Sequence, residues 1–410
     1  MKHFFKMVFA SVVGTMTTLG FMFFIFVAIV AGVASTGEEQ DWGASLGQIK
    51  DKSILRVEFN GPIVDYVERR DLMSSVFDYD APPMVGLYEL TQTLKDAGKN
   101  DKIKGLFLDI KFLGGGMANV EALRREIVKF KATGKFVIAY AEVYSEKSYV
   151  VASAADEVIL YPRGYFEWDG MYSKSAFFKN TLKKLDVVPQ IFRVGKYKSA
   201  IEPFINDKMS PESREQIQSL ILNAWGQVSG YAAEKTQLDK NKLEDLANNV
   251  SVIQAKQAFE NGFVNFLSSF EDVERKLIEL TGVEKKPEYV GWRSYYKNMV
   301  KESKKAKGDK IAIVFAQGEI VTSGDKDRIS SEKFSKLLQE LSREEDVKAV
   351  VIRVNSPGGS ALASDVIWTS TQWLKDKKPV VTSFGNVAAS GGYYMSAGSN
   401  YIFAEPTTIT

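Results

Sequence analysis

Ser390 stands in the run Asn386-Val387-Ala388-Ala389-Ser390-Gly391-Gly392-Tyr393-Tyr394, directly after the apolar stretch Val380 to Phe384. Small residues on both sides let a serine hydroxyl stand exposed at a sharp strand-to-helix turn, and the N–H of Gly391 would lie beside an oxyanion formed on a carbonyl attacked there. A serine among alanines and glycines can equally be a packing residue. Upstream, Asn355-Ser356-Pro357-Gly358-Gly359-Ser360 follows the buried-type strand Ala349 to Val354 and precedes a helical run from Ala361. Glycines at such a turn free backbone N–H groups to face a ligand, although a tight turn by itself also calls for glycine. With neither G-x-x-x-x-G-K nor G-x-G-x-x-G at this turn, it is not a phosphate loop.

A serine nucleophile needs a base. The chain has no cysteine and a single histidine, His3, close to the N-terminus. That excludes, for the body of the protein, a Ser-His-Asp hydrolase, a thiolate nucleophile, a disulfide frame and any metal site held by Cys or His. No cofactor and no metal are expected. Lysine is the usual substitute base. The segment Gly195-Lys196-Tyr197-Lys198-Ser199-Ala200-Ile201-Glu202-Pro203-Phe204 offers Lys196 and Lys198 in mixed apolar surroundings. A lysine, with a reference pKa of roughly 10.4, takes a proton near neutrality only when desolvated. Residue types alone leave the choice between the two open.

The elements that must carry these groups occur twice. With Pro162 set against Pro406, an offset of 244, Ile103 to Ile110 lies over Val347 to Val354, and Leu113-Gly114-Gly115-Gly116 lies over Pro357-Gly358-Gly359-Ser360. Tyr149 meets Tyr393 and Asp156 meets Asn400. Upstream, Ile54 to Gly61 echoes Ile311 to Gly318 at an offset of 257. Self-similarity of this kind marks one fold used twice. Each copy alternates short apolar runs with helix-period segments such as Gly86 to Asp96 and Glu332 to Leu341. The pattern predicts α/β domains with parallel sheets and crossover helices, glycine turns lying at the carboxyl ends of strands. At the position of Ser390 the first copy has Glu146, followed by Lys147 in place of Gly391, so only the second copy keeps a nucleophile backed by glycine.

The expected organisation is a cytoplasmic N-terminus (1–7), a transmembrane anchor (8–34), a first repeat (45–284), a basic, solvated linker (285–310) and a second repeat (311–410). Val8 to Ala34 carries no charge, Lys2 and Lys6 precede it, and Glu38, Glu39 and Asp41 follow. At about 1.5 Å per residue this stretch can cross a roughly 30 Å hydrocarbon core, and the positive-inside rule puts the body on the outer side of the membrane. Gly32-Val33-Ala34 is also a small-x-small cleavage site, but the apolar run is longer than a signal peptide needs. The second copy reaches Thr410, the counterpart of Phe166, so a counterpart of residues 167–284 is expected beyond it. With 53 Lys+Arg against 51 Asp+Glu, the chain carries a net charge of +2 and offers no global field for nucleic acid, which is not an expected partner.

In combination, the anchor, the tandem domains and the motifs around Lys198, Gly359 and Ser390 resemble the long-form signal peptide peptidases (protease IV) of the Clp protease/crotonase superfamily. The resemblance implies a serine peptidase of the Ser-Lys dyad type. Carried over residue by residue, Ser390 corresponds to the nucleophile, Lys198 rather than Lys196 to the general base, and Gly359 and Gly391 to the oxyanion-hole donors through their backbone N–H groups. It further implies a homotetramer at the outer face of the bacterial cytoplasmic membrane, taking cleaved signal peptides and other apolar peptides as substrates. Two other readings compete: a non-catalytic membrane scaffold of the same fold, for which Glu146 speaks, and a crotonase-type acyl-CoA enzyme.

Overall fold

The computed structural model describes residues 1–36, 49–67, 83–249, 252–303, 308–324 and 327–410. Helix α1, Lys2–Thr36, opens the chain; within it Lys2–Ile25 has a mean hydropathy of 1.9 and none of it is buried against the body. By length and composition it can cross a membrane. The acidic residues Glu38, Glu39 and Asp41, the expected start of the first repeat at residue 45, and residues 304–307 of the basic stretch lie outside the described residues.

In the first unit, β1 (Ser53–Val64), β2 (Val85–Gly86), β3 (Ile103–Gly115), β4 (Phe136–Tyr144) and β5 (Glu157–Glu167) form a parallel sheet in the order β2-β1-β3-β4-β5. Short strands 252–254, 266–267 and 289–291 extend it beside β5 and β1. The middle of strand β3, Gly105 to Ile110, is buried without interruption, as a strand covered on both faces must be. Helices α2 (Leu87–Lys99), α3 (Met117–Lys131) and α4 (Glu146–Ala152) link consecutive strands. Ser145 starts α4 with a capping box, its side chain and that of Ser148 each serving the other's backbone N–H. Helix α5 (Pro211–Thr236) follows on the same unit.

The second unit repeats the plan with β6 (Lys310–Gln317), β7 (Ile320–Val321), β8 (Ile329–Ser330), β9 (Val347–Ser356), β10 (Val380–Ala388) and β11 (Tyr401–Phe403). Its main sheet is parallel in the order β11-β10-β9-β6. Helices α6 (Ser331–Arg343), α7 (Ala361–Lys375) and α8 (Gly391–Ser396) complete it. The offset of 244 holds element by element: α2 and α6, α3 and α7, and β4 and β10 start and stop at matching residues. Asp156 and Asn400 even perform the same task, each accepting from a backbone N–H at the start of the preceding strand (Val137 and Val380, both 2.8 Å).

The connecting stretch is more than a solvated linker. Residues 289–291 pair with β1, and the following helix, Trp292–Ser303, buries Trp292 and Tyr295 against the first core. Lys297 and Lys301 of this helix are exposed, while Arg293 reaches back to donate to Met84 O (2.9 Å). The two units meet where α3 faces β10: Asn119 N donates to Asn386 Oδ1 (3.0 Å), Arg125 forms a two-pronged pair with Glu405 (2.6 and 2.7 Å), and Thr407 Oγ1 donates to Glu121 (2.6 Å).

Candidate active site

Two chain reversals at the carboxyl ends of β9 and β10 build the site. The first, Ser356 to Ser360, is pinned from three directions. Ile320 of β7 donates its N–H to Gly358 O (2.9 Å) and accepts from Ser360 N (2.8 Å); Gly358 N donates to Ser356 Oγ (3.1 Å); Ser360 Oγ caps α7 through Ala363 N (3.2 Å). The second reversal, Ala388 to Gly391, is tied to the first by Ala389 N donating to Ser356 O (3.0 Å). Ser356 is fully buried and so joins the two loops from beneath.

Ser390 occupies φ 51°, ψ −117°, a conformation that costs a non-glycine residue of order 1–3 kcal/mol and persists only where the surroundings impose it. Here they do: β10 delivers the chain from one side, and Gly392 N is held by Ala389 O (2.9 Å) on the other. The side chain is exposed and donates to no described group. Strain of this kind at a strand-to-helix turn is what lifts a serine hydroxyl clear of the backbone. Gly358, at φ 100°, packs directly against it; a Cβ there would stand 2.7 Å from Gly391 N and 2.9 Å from Ser390 Cβ. Only glycine lets the two loops approach so closely. The N–H groups of Gly359 and Gly391 have no acceptor among the described residues, so both remain available to a developing oxyanion.

The first copy shows the same turn converted to another use. Lys147, at the position of Gly391, donates its ammonium to Gly115 O (2.6 Å), at the position of Gly359, so in the first copy the two turns are tied together by the protein's own cation. Burial lowers the pKa of this lysine. Glu146, at the position of Ser390, accepts from Asp169 N (2.9 Å) and Gly170 N (3.1 Å). Burial pushes its carboxyl from the ordinary 4.5 up to about 7, against the pull of the Asp169 N–H. A carboxyl raised on folding binds protons that the unfolded chain has already released, so its contribution to stability is lost as pH rises from about 4.5 to about 7. Glu146→Gln is therefore expected to flatten the decline in stability between pH 5 and pH 8, by about 1–2 kcal/mol after allowance for its partial exposure; urea unfolding at the two pH values measures this. An unchanged decline would show that Glu146 is ionised freely in the fold.

Lys196 and Lys198 are both exposed. Lys198 lies just before the short turn Ser199–Ile201, and its carbonyl accepts from Arg193 (3.4 Å). Its neighbours clip this segment to α5: Tyr197 OH donates to Glu215 (2.9 Å) and Ser199 Oγ to Gln216 (3.2 Å). Two turns further along the same helix, Asn223 Nδ2 donates to Pro406 O of the second unit (2.6 Å). The structure thus gathers Ser390, Gly359 and Gly391 at one point, and no described contact joins either lysine to them.

Three further polar groups lie in this region, and the sequence gives none of them a role. Asp65, Arg353 and Asn386 lie at the seam between the units, and Arg353 draws notice only as a lone charge inside the apolar run Val350 to Val354.

Fold and site together define a tandem α/β protein with parallel sheets and crossover helices, in which a serine is poised on a strained turn against a glycine loop. The description of Peptidase family S49 matches residues 129–284 and again 372–410, two stretches that begin at equivalent places in the two copies. Protease 4 of Haemophilus influenzae is 33% identical over 354 residues, covering 83% of this chain and 58% of that protein. The chloroplastic serine protease SPPA of Arabidopsis thaliana is 30% identical over 372 residues, covering 88% of this chain and 53% of that one. Among solved structures, a membrane-bound stomatin-specific protease overlaps 55% of this chain and 84% of its own at 9% identity and a TM-score of 0.30. The chain is similar to peptidase family S49 over these two stretches, and it spans little more than half the length of these relatives.

Proposed function

We propose that the protein is a membrane-anchored serine endopeptidase in which Ser390 is the nucleophile, Lys198 the general base, and Gly359 and Gly391 donate the oxyanion hole. The observation that carries this reading is the strained, exposed Ser390 packed against a glycine loop whose nearest N–H groups are unused. Neutral Lys198 takes the Ser390 proton as Oγ attacks the peptide carbonyl. The carbonyl oxygen becomes an oxyanion held by the two N–H groups. The C–N bond then breaks, the lysine ammonium passes its proton to the departing amine, and water, activated by the same lysine, releases the acyl group from Ser390.

Lys198 is exposed in the single chain, whereas a base of this kind needs a dry setting. Tyr172, Val188, Phe192 and Val194 around the same segment are each more than four-fifths exposed, an apolar surface that a second copy of the chain or an apolar peptide would cover. This supports assembly into the expected homotetramer and a preference for apolar substrates such as cleaved signal peptides. The apolar helix α1 and the basic residues Lys2 and Lys6 of its first two turns support placement of the catalytic body on the outer, periplasmic side of the bacterial cytoplasmic membrane.

Stoichiometric labelling of Ser390 by a fluorophosphonate, with hydrolysis of a short apolar fluorogenic peptide by the detergent-solubilised protein, is the expected result. A folded, oligomeric protein that neither labels nor cleaves would favour the scaffold of the same fold, whose first copy already lacks the serine. Thioester turnover surviving Ser390→Ala would favour the acyl-CoA reading.

A further inference from the structure

The second unit's site rests on a carboxylate from the first. Asp65, at the end of β1, is almost completely buried, and its backbone carbonyl is fixed by Tyr88 N (3.1 Å). One carboxylate oxygen, Oδ1, accepts from Arg353 Nε (2.8 Å) and the other, Oδ2, from Asn355 Nδ2 (2.8 Å). Gly385 leaves the space: a Cβ there would press on Asp65 Oδ2 at 3.0 Å. Arg353 spends its remaining donors on Ser383 Oγ (2.8 Å), Phe384 O (2.5 Å) and Asn119 Oδ1 (2.9 Å).

Asn355 is the hinge of this arrangement. It immediately precedes the loop Ser356 to Ser360, and its Oδ1 accepts from Val387 N, three residues before Ser390 (3.2 Å). One amide side chain therefore bridges the loop that carries Gly359 and the turn that carries Ser390. An amide can donate from Nδ2 and accept at Oδ1 in only one orientation, and the carboxylate at Asp65 is what selects it, because an anion accepts and does not donate.

We infer that Asp65 is a positioning residue: acting through Asn355, it holds the oxyanion donors of the second unit in register with Ser390, so that the first repeat contributes to the geometry of the second repeat's site. The inference rests on the proposed role of Ser390. Donors of this type act only when aimed at the place where charge develops, and a displacement of about 1 Å can cost on the order of a hundredfold in rate.

The test uses the complete protein in detergent, with Asp65→Asn, Asn355→Ala and the double variant. Asp65→Asn keeps the shape of the side chain, and Asn355→Ala leaves the Asp65–Arg353 pair intact, so folding is preserved in at least one of them; oligomeric state and thermal midpoint check this. Each single variant is expected to lower kcat about tenfold or more with KM within about twofold. Each should also weaken a peptide boronate, which mimics the tetrahedral state, by a similar factor while leaving a substrate-like peptide inhibitor unaffected. Because Asp65 acts through Asn355, the double variant should be no slower than Asn355→Ala alone. Folded variants with wild-type kcat, a loss confined to KM, or losses that multiply in the double variant would each overturn the inference. Failure of the underlying reading looks different: the unmutated protein would then show neither labelling nor turnover.

Discussion

Ser390→Ala is expected to lower peptide hydrolysis by at least about 10³-fold and to abolish fluorophosphonate labelling, leaving the oligomer and the thermal midpoint close to those of the unmutated protein. Activity goes because no other hydroxyl stands on the strained turn; Ser356 and Ser364, the nearest in sequence motif, are buried. Stability stays because the exposed Ser390 side chain makes no described hydrogen bond, so its loss leaves nothing unpaired. A companion variant sharpens the result. At φ 51°, ψ −117° both Ser and Ala are strained, whereas glycine is not, so Ser390→Gly should be equally inactive yet more stable by about 1 kcal/mol. That pairing, a variant that gains stability as it loses all turnover, separates a functional serine from a packing one. Retained hydrolysis in either variant would remove Ser390 from the mechanism.

The second large effect is expected at Lys198. Lys198→Ala should reduce turnover by about 10³-fold or more, whereas Lys196→Ala should remain within a few-fold of the unmutated protein. The two residues are near neighbours in the same exposed segment, so they share surroundings, charge and any contribution to solubility. A difference between them isolates the proton transfer from those shared properties. The neighbouring contacts of Tyr197 with Glu215 and Ser199 with Gln216 fix which way the segment faces along α5, the helix that also reaches Pro406 in the second unit. Seven residues of helix, about 10 Å, separate those two anchor points. The lysine is therefore tied to the same rod that touches the serine-bearing unit. Equal losses in Lys198→Ala and Lys196→Ala would point to a general charge effect, and no loss in either would require a base elsewhere.

Much of this protein is written in stretches short enough to be read directly. The duplicated plan is legible in the sequence because each copy repeats the same apolar runs at a fixed spacing, and a strand segment buried on both faces must be largely apolar, as Gly105 to Leu108 of β3 is. The glycine loop and the serine turn were legible for a similar reason: Gly358 and Ser390 answer demands of their own backbone and of loops directly following strands. The absence of cysteine and the lone His3 settled which chemistries were closed. By contrast, the helix Trp292–Ser303 was concealed among basic residues, and only its packing on the first core shows it as part of that unit.

What the tertiary structure alone decided are the relations between residues far apart in the chain. Asp65 and Arg353 are 288 residues apart and carry no motif, and each alone is an ordinary charge. Only folding buries them together, where an unpaired charge would be costly and a paired one fixes the orientation of Asn355. Likewise, Lys147 reads as one lysine among many until the fold places its ammonium on Gly115 O. Backbone demands act over a few residues and leave their mark in local composition. Electrostatic and hydrogen-bond partnerships depend on distance in space, and that is set by how the two sheets dock.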